Sequence, residues 1–296
     1  MLTRLKKAAS KATEFRRESV LCASVSGLHR VSYVEWGERD NPRVLVCVHG
    51  LTRSARDFDP LAVALADRYR VVCLDMPGRG YSDWLKNPMD YSTPTYVNSA
   101  VTLIARLGVE TVDWVGTSMG GLIGMAFASL ERAPIRRMIL NEAGPAVTGA
   151  SLNRIGTYVG KAPVFPTFEA AVQYVRTISV FFGPHSDDEW RFLTEHYVRP
   201  QPDGTYRAHY DPGIAVPFNV GAPHKDLELW PIWDAVICPT LVIRGGLSDL
   251  LTRETVERMK TTGPRASAVE FPGIGHAPTL MHDDQIAVVR DFLLRD

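Results

Sequence analysis

The stretch that most constrains this chain is Thr111-Val112-Asp113-Trp114-Val115-Gly116-Thr117-Ser118-Met119-Gly120-Gly121-Leu122-Ile123-Gly124. Val112 to Val115 is a short apolar, β-prone run of the kind that forms a buried strand. Gly116 to Gly120 fits Gly-x-Ser-x-Gly, and Gly121 to Leu130 reads as an apolar helix. Alone, the five-residue pattern is common by chance. Between a strand and a helix it predicts a sharp turn that pushes the Ser118 hydroxyl into the open. Gly116 and Gly120 flank the serine because side chains there would collide across the turn. The start of the helix aims backbone N–H groups at the place where negative charge would develop.

The flanking chain alternates strand and helix. Leu21 to Trp36 reads as two short strands around Ser26-Gly27. Val44 to Val48, Val71 to Leu74, Arg136 to Leu140, Pro239 to Arg244 and Ala266 to Phe271 read as further strands. Helical spacing follows at Phe58 to Tyr69, Thr95 to Leu107, Thr252 to Lys260 and Asp283 to Leu294. Repeated βα units predict an α/β fold, a mainly parallel twisted sheet flanked by helices. From Pro145 to about Pro231 the alternation stops, and the spacing is helical where it is periodic at all. This segment is expected to be a helical lid over the C-terminal edge of the sheet, where ligand crevices of such sheets lie. The predicted organisation is a basic helical extension at 1–20, core at 21–144, lid at 145–231 and core again at 232–296.

Composition narrows the function. Lys and Arg total 33, as do Asp and Glu, so nothing calls for nucleic acid or an acidic membrane as partner. The 296 residues, 45% hydrophobic and 22% charged, suit a globular chain. No apolar run approaches the roughly 18 residues of a membrane span. Cys22, Cys47, Cys73 and Cys238 lie far apart without a CxxC, which predicts a reduced, cytoplasmic setting. Among the first twenty residues Arg4, Lys6, Lys7, Lys11, Arg16 and Arg17 alternate with apolar residues, giving a basic amphipathic helix without the apolar core of a secretory signal.

A serine hydroxyl needs a base to take its proton, an acid to orient the base, and donors for the developing oxyanion. Strand ends supply candidates. Ser118 is the nucleophile. His276, in Gly273-Ile274-Gly275-His276 after the last strand, is the base. Asp249, in Gly245-Gly246-Leu247-Ser248-Asp249 after the strand before it, is the acid, with Glu142 at the end of the Arg136–Leu140 strand as its rival. The oxyanion donors are the N–H groups of Met119 and of Leu51, after His49-Gly50. His49 reads as a brace for its loop, as do Asp75 and Arg79 for theirs. Phe181, Phe182 and Phe218 are candidate pocket residues. The remaining histidines show no metal-like spacing.

Together, His49-Gly50, Asp75-Met76-Pro77-Gly78-Arg79-Gly80-Tyr81-Ser82, Gly116-Thr117-Ser118-Met119-Gly120-Gly121, Asp249 and Gly275-His276 resemble the α/β-hydrolase fold superfamily, in its lid-bearing serine esterase and lactonase branch. The resemblance implies cofactor-free hydrolysis of a small-molecule ester or lactone through an acyl-enzyme at Ser118. Carbon–carbon bond hydrolases, perhydrolases and haloperoxidases with the same triad stay open, as does a non-catalytic ligand-binding protein on this scaffold. Oligomeric state, homo-oligomer included, is left open.

Overall fold

A computed structural model describes residues 14–220 and 222–295. The apolar runs assemble into one eight-stranded sheet. In chain order its strands are β1 (Arg16–Ser24), β2 (Gly27–Trp36), β3 (Val44–Val48), β4 (Arg70–Leu74), β5 (Val112–Thr117), β6 (Ile135–Asn141), β7 (Thr240–Gly245) and β8 (Ser267–Phe271). In space they lie β1-β2-β4-β3-β5-β6-β7-β8. The β1–β2 and β2–β4 pairs are antiparallel, and every other neighbouring pair is parallel. The helices are α1 (Asp59–Leu65), α2 (Thr93–Leu107), α3 (Met119–Ala128), α4 (Gly149–Gly156), α5 (Phe168–Ile178), α6 (Asp187–Glu195), α7 (Ala215–Val220), α8 (Trp230–Asp234), α9 (Arg253–Met259) and α10 (Asp283–Leu293).

The unbroken apolar runs follow from burial on both faces of the sheet. Along β3, Val44, Val46 and Val48 join a cluster with Leu103 of α2, Trp114 of β5 and Phe127 of α3. Leu45 and Cys47 face the other side, with Leu61 and Leu65 of α1, Val115 of β5 and Leu293 of α10. A strand with a polar residue at every second position could not occupy that place. All four cysteines are buried free thiols within this packing.

Two expectations are corrected. Residues 1–13 of the expected basic helix lie outside the described residues, and Arg16 to Val20 are the first half of β1. They pair with β2 from Arg16↔Glu35 to Val20↔Val31. Burial alternates there, with Val20 and Cys22 inward, and Arg16 donates to the buried Glu35 at 2.8 Å. Cross-strand pairing outweighs the helical spacing of the charges. The segment between β6 and β7, expected to be helical, carries α4 to α8 but also small sheets. One has three strands, Val164–Phe165, Tyr206–Ala208 and Val198–Pro200. In the other, Ala146–Val147 pairs with Leu227–Glu228 and draws the two ends of the segment together. Among the described residues no helix is long and apolar enough to cross a membrane.

Candidate active site

Ser118 stands between β5 and α3 at φ 52°, ψ −114°, a backbone conformation that L-residues adopt only under constraint. The constraint is the close approach of the chain to itself. A Cβ at Gly116 would meet the Gly120 carbonyl oxygen at 2.2 Å, and one at Gly120 would meet that of Val48 at 2.0 Å. The Ser118 N–H donates to the Asn141 carbonyl at 2.8 Å, and its own carbonyl accepts from Gly121 and Leu122 at 2.9 and 3.1 Å. The hydroxyl is left to point into a cavity.

His276 reaches it from the loop after β8, with Nε2 2.9 Å from Ser118 Oγ. The other ring nitrogen, Nδ1, lies 3.0 Å from Oε2 of Glu142, not from Asp249. Glu142 follows β6 at φ 55° and is 2% exposed. Its Oε1 accepts the Gly245 N–H and its Oε2 the Ser248 hydroxyl, each at 2.5 Å. The expected acid is therefore corrected. Asp249 is half-exposed and turned away into an ion pair with Arg154 of α4. The end of β7 and the loop after it contribute the donors to this carboxylate, and the residue just past β6 contributes the carboxylate itself. Ser248 was not singled out by sequence reasoning, although it adjoins the residue that was.

The loops flanking Ser118 are braced as expected. His49 is fully buried; its Nδ1 is 2.7 Å from the Gly50 carbonyl, and its Nε2 accepts the Met76 N–H at 3.0 Å. That pattern fixes the neutral tautomer with the proton on Nδ1. The Asp75 carboxylate accepts from the N–H groups of Ala55 and Tyr81, at 2.8 and 3.0 Å. Arg79, also buried, donates through Nε to the Leu51 carbonyl at 2.8 Å, and its Nη2 lies 3.4 Å from Met119 Sδ. One guanidinium thus touches both residues expected to supply oxyanion donors. Among the described residues the Leu51 and Met119 N–H groups find no acceptor, and both residues line the cavity beside Ser118.

The buried histidines carry a stability consequence. Burial lowers His49 and His196 from 6.5 to about 3 and His209 to about 4, and lowers His29 and His185 as well. Below 6.5 the unfolded chain takes up these protons and the folded chain refuses them, so stability is lost on acidification. Asp75, raised by burial from 3.8 to about 6, opposes this, as does Asp59, which burial also raises. Five histidines against two carboxyls decide the sign. Tm is expected to fall as pH drops from about 7 to about 4.5, and His209→Gln should flatten the fall. A Tm that rises over that interval contradicts the assignment of these histidines as neutral.

The cavity holds about 510 Å³, within the roughly 300–1,000 Å³ of small-molecule sites. Its floor is the Ser118 turn and its loops, and its walls come from the segment between β6 and β7. Phe181, Phe182 and Phe218 line it, with Leu152, Ile155 and Tyr158. Its charged side chains come in pairs. Arg53 donates to Asp57 at 2.7 and 2.8 Å, Arg154 pairs with Asp249, and Glu142 holds His276. An uncharged or amphiphilic ligand suits such a lining better than a dianion.

Residues 45–290 match the family model described as the alpha/beta hydrolase family. The 3-hydroxybutyrate-oligomer hydrolase of Cupriavidus necator is 49% identical over 280 residues, covering 92% of this chain and 96% of its own. A pimeloyl-[acyl-carrier protein] methyl ester esterase of Xanthomonas campestris pv. campestris is 28% identical over 252 residues, covering 82% of this chain and 91% of its own. The crystal structure of an alpha/beta hydrolase from Novosphingobium aromaticivorans superposes with a TM-score of 0.84 at 36% identity, covering 95% of this chain and 98% of that one.

Proposed function

Because the chain belongs to the alpha/beta hydrolase family and is a carboxylic ester hydrolase, we propose that it cleaves ester-linked oligomers of a short 3-hydroxy acid through an acyl-enzyme at Ser118. The observation that carries the mechanism is the line Ser118 Oγ, His276 Nε2, His276 Nδ1, Glu142 Oε2, with links of 2.9 and 3.0 Å. His276 takes the Ser118 proton as Oγ attacks the ester carbonyl, and Glu142 holds the imidazole with its proton on Nδ1. The Leu51 and Met119 N–H groups receive the oxyanion. Losing one such donor typically costs about 10²–10³ in rate. His276 then protonates the departing alkoxide, which leaves as the hydroxyl end of the shortened chain. Water, deprotonated by the same imidazole, releases the acid and restores the Ser118 hydroxyl.

Two things support the oligomer reading. One is the activity named for the Cupriavidus necator relative, together with its extent of similarity. The other is the cavity, where paired charges and apolar walls suit a neutral, methyl-branched ester chain. The test is to offer 3-hydroxybutyrate dimer and trimer beside p-nitrophenyl butyrate, and to quench turnover in acid for mass analysis. Monomer release, with an acyl adduct on the peptide bearing Ser118, is expected. Turnover of p-nitrophenyl butyrate with no cleavage of dimer or trimer overturns the substrate. An adduct on another residue overturns the nucleophile.

A further inference from the structure

Asp249, not bonded to the base, is bonded to the first helix of the segment that covers the site. Arg154 of α4 grips its carboxylate with both terminal nitrogens, one of them at 2.9 Å. One turn earlier in α4, Ser151 Oγ donates to the Asp249 carbonyl at 3.2 Å. The residue before Asp249 is Ser248, whose hydroxyl donates to Glu142 at 2.5 Å. That hydroxyl is itself set by the N–H groups of Leu250 and Leu251, each at 3.2 Å. From the far side Arg244 holds the same turn, donating to the Ser248 and Leu251 carbonyls at 3.2 and 2.8 Å. The Ser248–Leu251 turn is thus gripped by α4 on one side and presents a donor to the triad's acid on the other.

We propose that Arg154 and Asp249 are positioning residues for Glu142, so that seating of α4 on the loop after β7 holds the acid in register with His276. The inference rests on Glu142, His276 and Ser118 as the reacting set. The Arg154–Asp249 pair is too exposed for a large contribution to stability, since such pairs lie where water screens them. Its geometry is nonetheless the bidentate one that fixes orientation, which is the property a positioning contact needs. A charge-assisted bond to a buried carboxylate lies one residue away, so a small rotation of the turn is felt at Glu142.

The alternative role for Arg154, holding the free carboxylate of an oligomer, is separated by the choice of substrate. On neutral p-nitrophenyl butyrate, Arg154→Ala and Asp249→Ala should each lower kcat about tenfold with KM nearly unchanged, and Ser248→Ala about tenfold or more. Adding Arg154→Ala to Ser248→Ala should cost little further, because the contact it breaks acts through Ser248. The charge-exchanged double variant Arg154→Asp with Asp249→Arg should recover most of kcat, while each reversal alone should not. Near-UV circular dichroism matching the wild type confirms that each variant is folded. A change confined to KM on carboxylate-bearing oligomers overturns the proposal and makes Arg154 a substrate ligand. Fully multiplicative losses, or no recovery on charge exchange, overturn it too. A Ser118→Ala control that still turns over would instead sink the reading on which it rests.

Discussion

Glu142→Gln is expected to lower kcat by about 10⁴-fold, the loss known when the acid of such a triad becomes an amide. Asp249→Asn should remain at least a hundredfold more active than that variant. The reason is geometric. His276 presents Nδ1 to Glu142 Oε2 at 3.0 Å and Nε2 to Ser118 at 2.9 Å. To act as base toward Ser118, the imidazole must carry its proton on Nδ1, and a carboxylate guarantees that tautomer because it can only accept. A glutamine at 142 can turn its amide nitrogen toward Nδ1 and stabilise the opposite tautomer, whose protonated Nε2 cannot take a proton from serine. In that orientation the amide oxygen keeps the Gly245 N–H, 2.5 Å from Oε1, while the Ser248 hydroxyl, whose acceptor is Oε2, faces the amide nitrogen and loses its acceptor, so Tm should fall modestly alongside the much larger loss in kcat. Asp249 shares none of these contacts, and its asparagine variant loses only the grip of Arg154. Steady-state kinetics on both variants with one neutral ester decides the matter. If Asp249→Asn is the inactive one, the assignment is reversed.

That reversal is the one that sequence alone could not exclude, and the structure explains why. β6 and β7 are parallel neighbours, so a residue just past either end lies at the same rim of the sheet. Glu142 and Asp249 both satisfy the pattern of a carboxylate after a strand and between nucleophile and base. Which of them faces the histidine is settled by contacts distant in sequence. Arg154 draws Asp249 outward, and Gly245 and Ser248 receive Glu142 inward. The elements that were legible are those with local causes. Val44 to Val48 could only be a strand covered on both faces, and Gly116 and Gly120 were required by contacts of 2.2 and 2.0 Å across the serine turn. The two- and three-residue strands between β6 and β7 were not legible, because nothing so short shows a period. Arg16 to Val20 misled for the opposite reason. Basic residues at helical spacing gave a signal, but the partner strand Gly27–Trp36 gave pairing and an ion pair with Glu35.

Ser118→Ala and His276→Ala should each remove about 10⁴–10⁶-fold of kcat, and the double variant should lose no more than either alone. Non-additivity follows from what the two groups share. The proton that leaves Ser118 Oγ has one acceptor, His276 Nε2 at 2.9 Å, and the imidazole has no other proton to take in the first step. Once either is gone the other has nothing to do. What remains is the proposed donor set of Leu51 and Met119 and the cavity that would orient the ester, and these should still outperform bulk water. The residual rate in all three variants should therefore be equal. It should drop further when the loops carrying those donors are loosened, as by Arg79→Met, which removes the bond from Nε to the Leu51 carbonyl. Arg79 is 1% exposed, so that variant is informative only if its circular dichroism spectrum matches the parent. Multiplicative losses on combining Ser118→Ala with His276→Ala would mean that the two act in separate steps, and a hydroxyl activated by this imidazole would no longer describe the chemistry.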